Sequence, residues 1–99
     1  MMTQENAITL IQESFDSLYQ SGVISEDIIV DKNTSILGEN SILDSIGFIT
    51  LFTDIEDRIS QKTGKEIYLV LDEISDFNIN NPFLSAGIIA NYLIDKINK

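Results

Sequence analysis

Residues 43–59 read Leu-Asp-Ser-Ile-Gly-Phe-Ile-Thr-Leu-Phe-Thr-Asp-Ile-Glu-Asp-Arg-Ile, and the rest of the chain is read outward from them. Ile49, Phe52, Ile55 and Ile59 recur at spacings of three, three and four, the period of a helix that buries one stripe. Asp44 and Ser45 stand just before that period, where the helix begins. A serine there has the unpaired backbone N–H groups of the first turn beside it, and a phosphate at such a point is stabilised by those groups and by the helix dipole. Asp54, Glu56, Asp57 and Arg58 are placed on the solvent side. Gln61 and Thr63-Gly64 mark the end.

Upstream, residues 3–20 predict a first helix capped by Thr3, with Ile8, Ile11, Phe15 and Leu18 on its buried face and Gly22 as its stop. Residues 21–43 show no sustained period and are read as a long loop pinned by the pairs Ile28-Ile29 and Ile36-Leu37. A connection of that length is unusual in a small domain, so it is either functional or hides a short helical turn. Downstream, residues 67–71 have strand-like residue types and no second such run to pair with, and are read as an extended connection over the core. Residues 72–77 suit a short helical piece and residues 78–82 a turn. A last helix starts near Asn81-Pro82 or a turn later at Ser85, and buries Ile88, Ile89, Tyr92, Leu93 and Ile97. Phe77 and Phe83 are assigned to the core. The expectation is an all-α fold in one domain, residues 1–99: a four-helix bundle of three longer helices and one short, with a long loop between helices one and two.

Composition narrows the functions. The 99 residues are 43% hydrophobic and 22% charged, as in a folded globular domain. Sixteen carboxylates against six Lys and Arg give a net charge of −10, which argues against nucleic acid and for basic protein partners. The chain has neither Cys nor His, so a Ser-His-Asp triad, a thiolate nucleophile and the usual zinc sites have no residues to build them. No metal site is expected. Asp31-Lys32-Asn33-Thr34-Ser35 begins like a calcium loop but has Ile36 where Gly is required and Ile42 where a bidentate Glu is required. Gly64-Lys65 has no partner glycine five residues earlier and is no phosphate loop. Asp54 and Asp57, one turn apart, read as a solvated acidic face rather than an acid–base pair. The first residues lack the pattern of a signal peptide, and the longest apolar run, residues 67–71, falls far short of the roughly 18 residues of a membrane span. A cytoplasmic protein is the expectation.

What survives is Ser45, preceded by Asp44 and followed by the apolar Ile46, at the head of an acidic amphipathic helix. Here the sequence resembles the acyl carrier protein family, with its peptidyl and D-alanyl carrier relatives, whose second helix begins with an Asp-Ser-Leu, Met or Ile box. Leu37-Gly38 resembles the Leu-Gly that precedes that box, Asp54-Ile55-Glu56 the Leu-Glu segment of helix two, and Gly64-Lys65-Glu66-Ile67 the Gly-x-x-Ile after it. Residues 85–93 look like the family's final Thr-Val-x-x-Leu-x-x-Tyr-Ile. The details, Leu43 to Gly47 and Asn81-Pro82-Phe83, resemble a stand-alone branch outside housekeeping fatty acid synthesis. Gly47 stands where housekeeping carriers usually have an acid, and Thr50 and Thr53 occupy surface positions of helix two that are often acidic or apolar contacts there.

The resemblance implies a carrier with no catalytic residue of its own. A phosphopantetheinyl transferase would attach the 4′-phosphopantetheine of coenzyme A to Ser45, with Asp44 and Ile46 flanking the site. The arm would hold an acyl or aminoacyl group as a thioester, supplied by an activating ligase and consumed by acyltransferase or synthase enzymes. Glu39, Ile46, Glu56 and Asp57 are the expected docking residues, with Asp44 adding charge, and the carrier is expected to be a monomer. The alternative is an acidic carrier-like interaction module that never receives the arm. A serine hydrolase is set aside for want of a histidine.

Overall fold

In a computed structural model of the chain, residues 2–37, 43, 45–68 and 84–98 are described, with backbone alone for Leu37, Ser45 and Leu84. Among the described residues the fold is mostly helical, with three helices: α1 (Gln4–Gln20), α2 (Ser45–Thr63) and α3 (Ala86–Ile97). Two short strands, β1 (Ser35–Leu37) and β2 (Leu84–Ser85), pair antiparallel. Among the described residues no helix is long and apolar enough to cross a membrane. The short helical piece expected at residues 72–77, and the core positions Phe77 and Phe83, lie outside the described residues.

Local chemistry sets the ends of α1. Thr3 Oγ1 accepts from the Asn6 amide at 3.2 Å and Asn6 Oδ1 accepts from the Thr3 amide at 3.1 Å, a reciprocal cap. At the far end Gly22 adopts φ +82°, and the Val23 and Gly22 amides donate back to the Leu18 and Tyr19 carbonyls at 2.9 and 3.2 Å. That pairing is a Schellman turn, and the left-handed φ at its turning residue suits glycine. Gly64, at φ +72°, follows α2 in the same conformation.

The helices meet along apolar faces, α1 against both α2 and α3. Leu10, Ile11, Phe15 and Leu18 of α1, Leu51, Phe52, Ile55 and Ile59 of α2, and Ile89, Tyr92, Leu93 and Ile97 of α3 are buried. Ile8 and Ile88 are only half-buried at its edge. Ser14 is the buried polar side chain among the described residues, and its Oγ has no hydrogen-bond partner there. Leaving a hydroxyl dry and unpaired costs about 1–3 kcal/mol.

The sequence reading of α2 requires one correction. Ile49, assigned to the buried stripe, is 65% exposed. The helix instead buries Leu51, Phe52, Ile55 and Ile59, with the half-buried Phe48 stacked on Phe52 at a centroid distance of 4.4 Å. These positions run at spacings of three and four over three turns, and Ile49 lies about 100° away from their centre at 100° per residue. A helix with seven apolar residues between Ile46 and Ile59 holds more than one stripe's worth, and the aromatic pair decides which side goes in.

The long connection also differs from a structureless loop. Gln12 of α1 grips it as a backbone would: its Oε1 accepts from the Val30 amide at 2.6 Å, and its Nε2 donates to the Ile28 carbonyl at 2.8 Å. Asp31 to Thr34 form a turn, with the Asp31 carboxylate accepting from the Asn33 amide at 2.7 Å and the Thr34 amide donating to the Asp31 carbonyl at 3.1 Å. Strand β1 follows, paired with β2 through Ser35 opposite Ser85 and Leu37 opposite Leu84. The reading of residues 21–43 as a loop gives no strand here; the pair Ile36-Leu37 instead enters this short ladder, with Ile36 buried in the core.

Of the two starts considered for α3, the structure has the later. Ser85 is the cap, its Oγ accepting from the Ile88 amide at 3.3 Å. The Ala86 amide donates to the Thr34 carbonyl at 2.8 Å and the Gly87 amide to the Lys32 carbonyl at 2.9 Å, so the loop satisfies donors that a helix start leaves open. A Cβ on Gly87 would stand 2.7 Å from the Lys32 carbonyl oxygen and 3.1 Å from Lys32 Cβ. Alanine normally favours a helix over glycine by about 1 kcal/mol, but here backbone must move to admit it. Gly87→Ala is therefore expected to lower stability by about 1–3 kcal/mol in urea denaturation, and a variant as stable as wild type would show that the loop is not held against α3.

Candidate functional site

Ser45 is the first residue of α2, as expected from the break between Asp44-Ser45 and the apolar period. The first turn of the helix carries no acidic side chain. Amide N–H groups at this end have no intrahelical acceptors, and 19 residues of aligned peptide dipoles stand behind them. Asp44 and Glu39 lie outside the described residues. Leu43 is half-buried and packs against the core, which ties the chain down two residues before the helix opens.

From this head an outward face runs down α2. Ile46 is 73% exposed and Ile49 65% exposed. Thr50 Oγ1 donates to the Ile46 carbonyl at 2.7 Å and Thr53 Oγ1 to the Ile49 carbonyl at 3.0 Å. With both hydroxyls turned to backbone, the face offers two isoleucines and two threonines within about a 100° sector of the helix. It carries no charge until Glu56, which is half-buried, and Asp57, which is exposed.

The acidic side chains of α2 have separate roles. Asp54 accepts from Arg58 Nε at 2.7 Å, a pair one turn apart on a half-exposed flank. Asp57 accepts from Gln61 Nε2 at 3.1 Å. Asp54 and Asp57 are thus committed to different neighbours and do not share a proton-transfer geometry. Among the described residues no group of three or more Asp, Glu, His or Cys converges as metal ligands would.

Among the described residues, two hollows lie beside α2. The larger, about 530 Å³, lies at its far end between Asn6, Thr9, Lys62, Lys65, Ile97 and Asn98. Lys62 is roughly 26 Å along the axis from Ser45, so this hollow is remote from the serine. Its lysines are engaged, Lys62 Nζ with Glu13 at 2.6 Å and Lys65 Nζ with the Ile97 carbonyl at 2.6 Å, and they tie α1, α2 and the end of α3 together. The smaller, about 270 Å³, lies on the outward face, where Thr53, Glu56, Asp57 and Ser60 of α2 stand across from Glu66, Ile67 and Tyr68. Of these, Glu56 and Asp57 are expected docking residues. Ser60, Glu66 and Tyr68 were not singled out, because nothing in a linear pattern says that residues 66–68 return alongside α2.

Comparison with protein-family models, curated proteins and solved structures gives no match to this chain. The site's chemistry therefore rests on its own residues: an N-terminal helix serine, an uncharged outward face and a carboxylate-rimmed groove. The exposure of Ile49 has a direct consequence for stability. Ile49→Ser should change it by less than about 0.5 kcal/mol, whereas Leu51→Ala, on the buried side, should cost about 2–5 kcal/mol by the same denaturation measurement. Equal losses would put Ile49 back in the core.

Proposed function

We propose that the chain is an acyl-carrier-like domain, modified at Ser45 with 4′-phosphopantetheine, that holds an acyl or aminoacyl group as a thioester and presents it to partner enzymes. The observation that carries this reading is the box Leu43-Asp44-Ser45-Ile46-Gly47 with its serine opening a 19-residue helix and Ile46 exposed beside it. In this reading the fold is the four-helix carrier bundle, with the short fourth helix in residues 72–77, and the protein is a cytoplasmic monomer.

The residues fit the group. A phosphodiester on Ser45 would meet the positive dipole end of α2. The serine is no nucleophile by itself, since the chain has no histidine to act as its base, so the transferase supplies activation. In the transfer the Ser45 Oγ–P bond forms, the pyrophosphate P–O bond of coenzyme A breaks, adenosine 3′,5′-bisphosphate leaves, and the serine proton passes to the transferase. The arm brings the thiol that a chain without cysteine lacks. Ile46 is available as an apolar contact, and Glu56, Asp57, Glu39 and Asp44 add the negative charge that draws basic partner surfaces.

Incubation with coenzyme A and a broad-specificity phosphopantetheinyl transferase, followed by intact mass measurement, should add one arm to wild type and none to Ser45→Ala. A wild type that gains no mass leaves the unmodified interaction module as the better reading. Reversal of charge at Glu56 and Asp57 should slow transfer more at 20 mM than at 500 mM salt, because exposed charges are screened beyond about 10 Å at 0.1 M. An effect of equal size at both would remove these residues from docking.

A further inference from the structure

We infer that the hollow of about 530 Å³ where the ends of α1, α2 and α3 meet is a binding site for a phosphate monoester, its phosphate held by Lys62 and Lys65 and its organic part set against Met2 and Ile97. The inference does not rest on the carrier reading, because the hollow stands at the far end of α2 from Ser45.

The charge of this hollow is opposite to that of the molecule. The chain carries 16 carboxylates and 6 Lys and Arg, yet Lys62 and Lys65 both line it and, among the described residues, no carboxylate does. Each ammonium is held in place by one partner. Lys62 Nζ meets Glu13 Oε1 at 2.6 Å, and Lys65 Nζ donates to the Ile97 carbonyl at 2.6 Å. Gly64, at φ +72°, turns the chain out of α2, and Lys65 thereby reaches the end of α3. An ammonium has three donors and no acceptor, so each lysine keeps two N–H groups for a ligand. Asn6 adds its Nδ2, since its Oδ1 is taken by the Thr3 amide, and Thr9 adds a hydroxyl; neither group has a hydrogen-bond partner among the described residues.

That inventory selects the ligand. Donors in excess of acceptors favour an anion, and two lysines favour a dianion over a monoanion. A planar carboxylate is matched best by the fork of an arginine, and the chain's one arginine, Arg58, is paired with Asp54 elsewhere. Lysine acts as a point charge, which suits a phosphate that accepts from several directions at once. The volume lies within the roughly 300–1,000 Å³ of small-molecule sites and exceeds what a phosphate alone would fill. Buried Ile97 and half-buried Met2 give the remainder an apolar wall for an organic substituent. The Lys62–Glu13 pair is half-exposed and contributes little to stability by itself, so a phosphate competes with Glu13 for Lys62 at small cost.

Amide NMR titration of the ¹⁵N-labelled protein decides the matter, with phenyl phosphate as the probe at constant ionic strength and about pH 7.5, where a phosphate ester is mostly dianionic. Saturable shifts should centre on Asn6, Thr9, Thr63 and Asn98. Phenyl sulfate, of the same shape with one charge fewer, and inorganic phosphate, without the organic part, should each bind several-fold more weakly. Lys62→Gln and Lys65→Gln should each weaken phenyl phosphate by about two- to fivefold, the worth of one half-exposed ion pair. Lys32→Gln, beside the head of α3, should leave it unchanged. Glu13→Gln removes the carboxylate that competes for Lys62 and should tighten binding, although it breaks the same bridge as Lys62→Gln; a loss caused only by a disturbed fold would appear in both. Shifts spread evenly over all the cations, equal affinity for the phosphate and sulfate esters, or binding weakened by Glu13→Gln as much as by Lys62→Gln overturn the site. Inorganic phosphate bound as tightly as phenyl phosphate overturns the monoester.

Discussion

The amides at the start of α3 must find acceptors, and the long connection between α1 and α2 provides two of them through the carbonyls of Thr34 and Lys32. This contact is possible because residue 87 has no side chain, so backbone meets backbone at a distance that a Cβ would forbid. The same contact sets β1 beside β2, and Gln12 holds the preceding stretch to α1. A connection of more than twenty residues is thereby fastened at three points, to α1, to β2 and to the head of α3. Its described residues up to Leu37 no longer carry the entropy of a free segment, and Leu43 packs against the core two residues before Ser45.

Helix α2 is the other organising element, and its two sides do different work. Phe48, Leu51, Phe52, Ile55 and Ile59 join the core, which leaves Ile46 and Ile49 outside beside threonines whose hydroxyls are satisfied by their own helix. An exposed isoleucine pair gains nothing for the fold from burial. In the carrier reading it belongs to partner recognition, and the absence of charge on the outward face between Ser45 and Glu56 distinguishes this face from one that is acidic along its whole length.

Much of this was legible in the chain. The ends of α1 follow from Thr3 and Gly22 and the start of α2 from the break before its apolar period, each a local effect within a few residues, whereas the chain offers two starts for α3 and the structure has the one at Ser85. The charge pair Asp54–Arg58 likewise follows from a spacing of four. The burial of Ile49 was misread because Ile49, Phe52, Ile55 and Ile59 satisfy the helical period as well as the true stripe does. Periodicity identifies a helix without saying which of two overlapping stripes faces inward. The grip of Gln12 on residues 28–30, the pairing of β1 with β2, and the groove between α2 and residues 66–68 had no linear signal at all.

The sequence by itself determined the three described helices, the caps of α1, a serine at the head of an acidic helix, and the lack of any histidine or cysteine with which to do chemistry unaided. These depend on residue type and on spacings within one or two turns. Tertiary structure alone decided which isoleucines are inside, why residue 87 is glycine, and that Glu66 and Tyr68 stand across from Asp57. Burial and close approach are relations between segments far apart in the chain, and they exist only once the helices have packed.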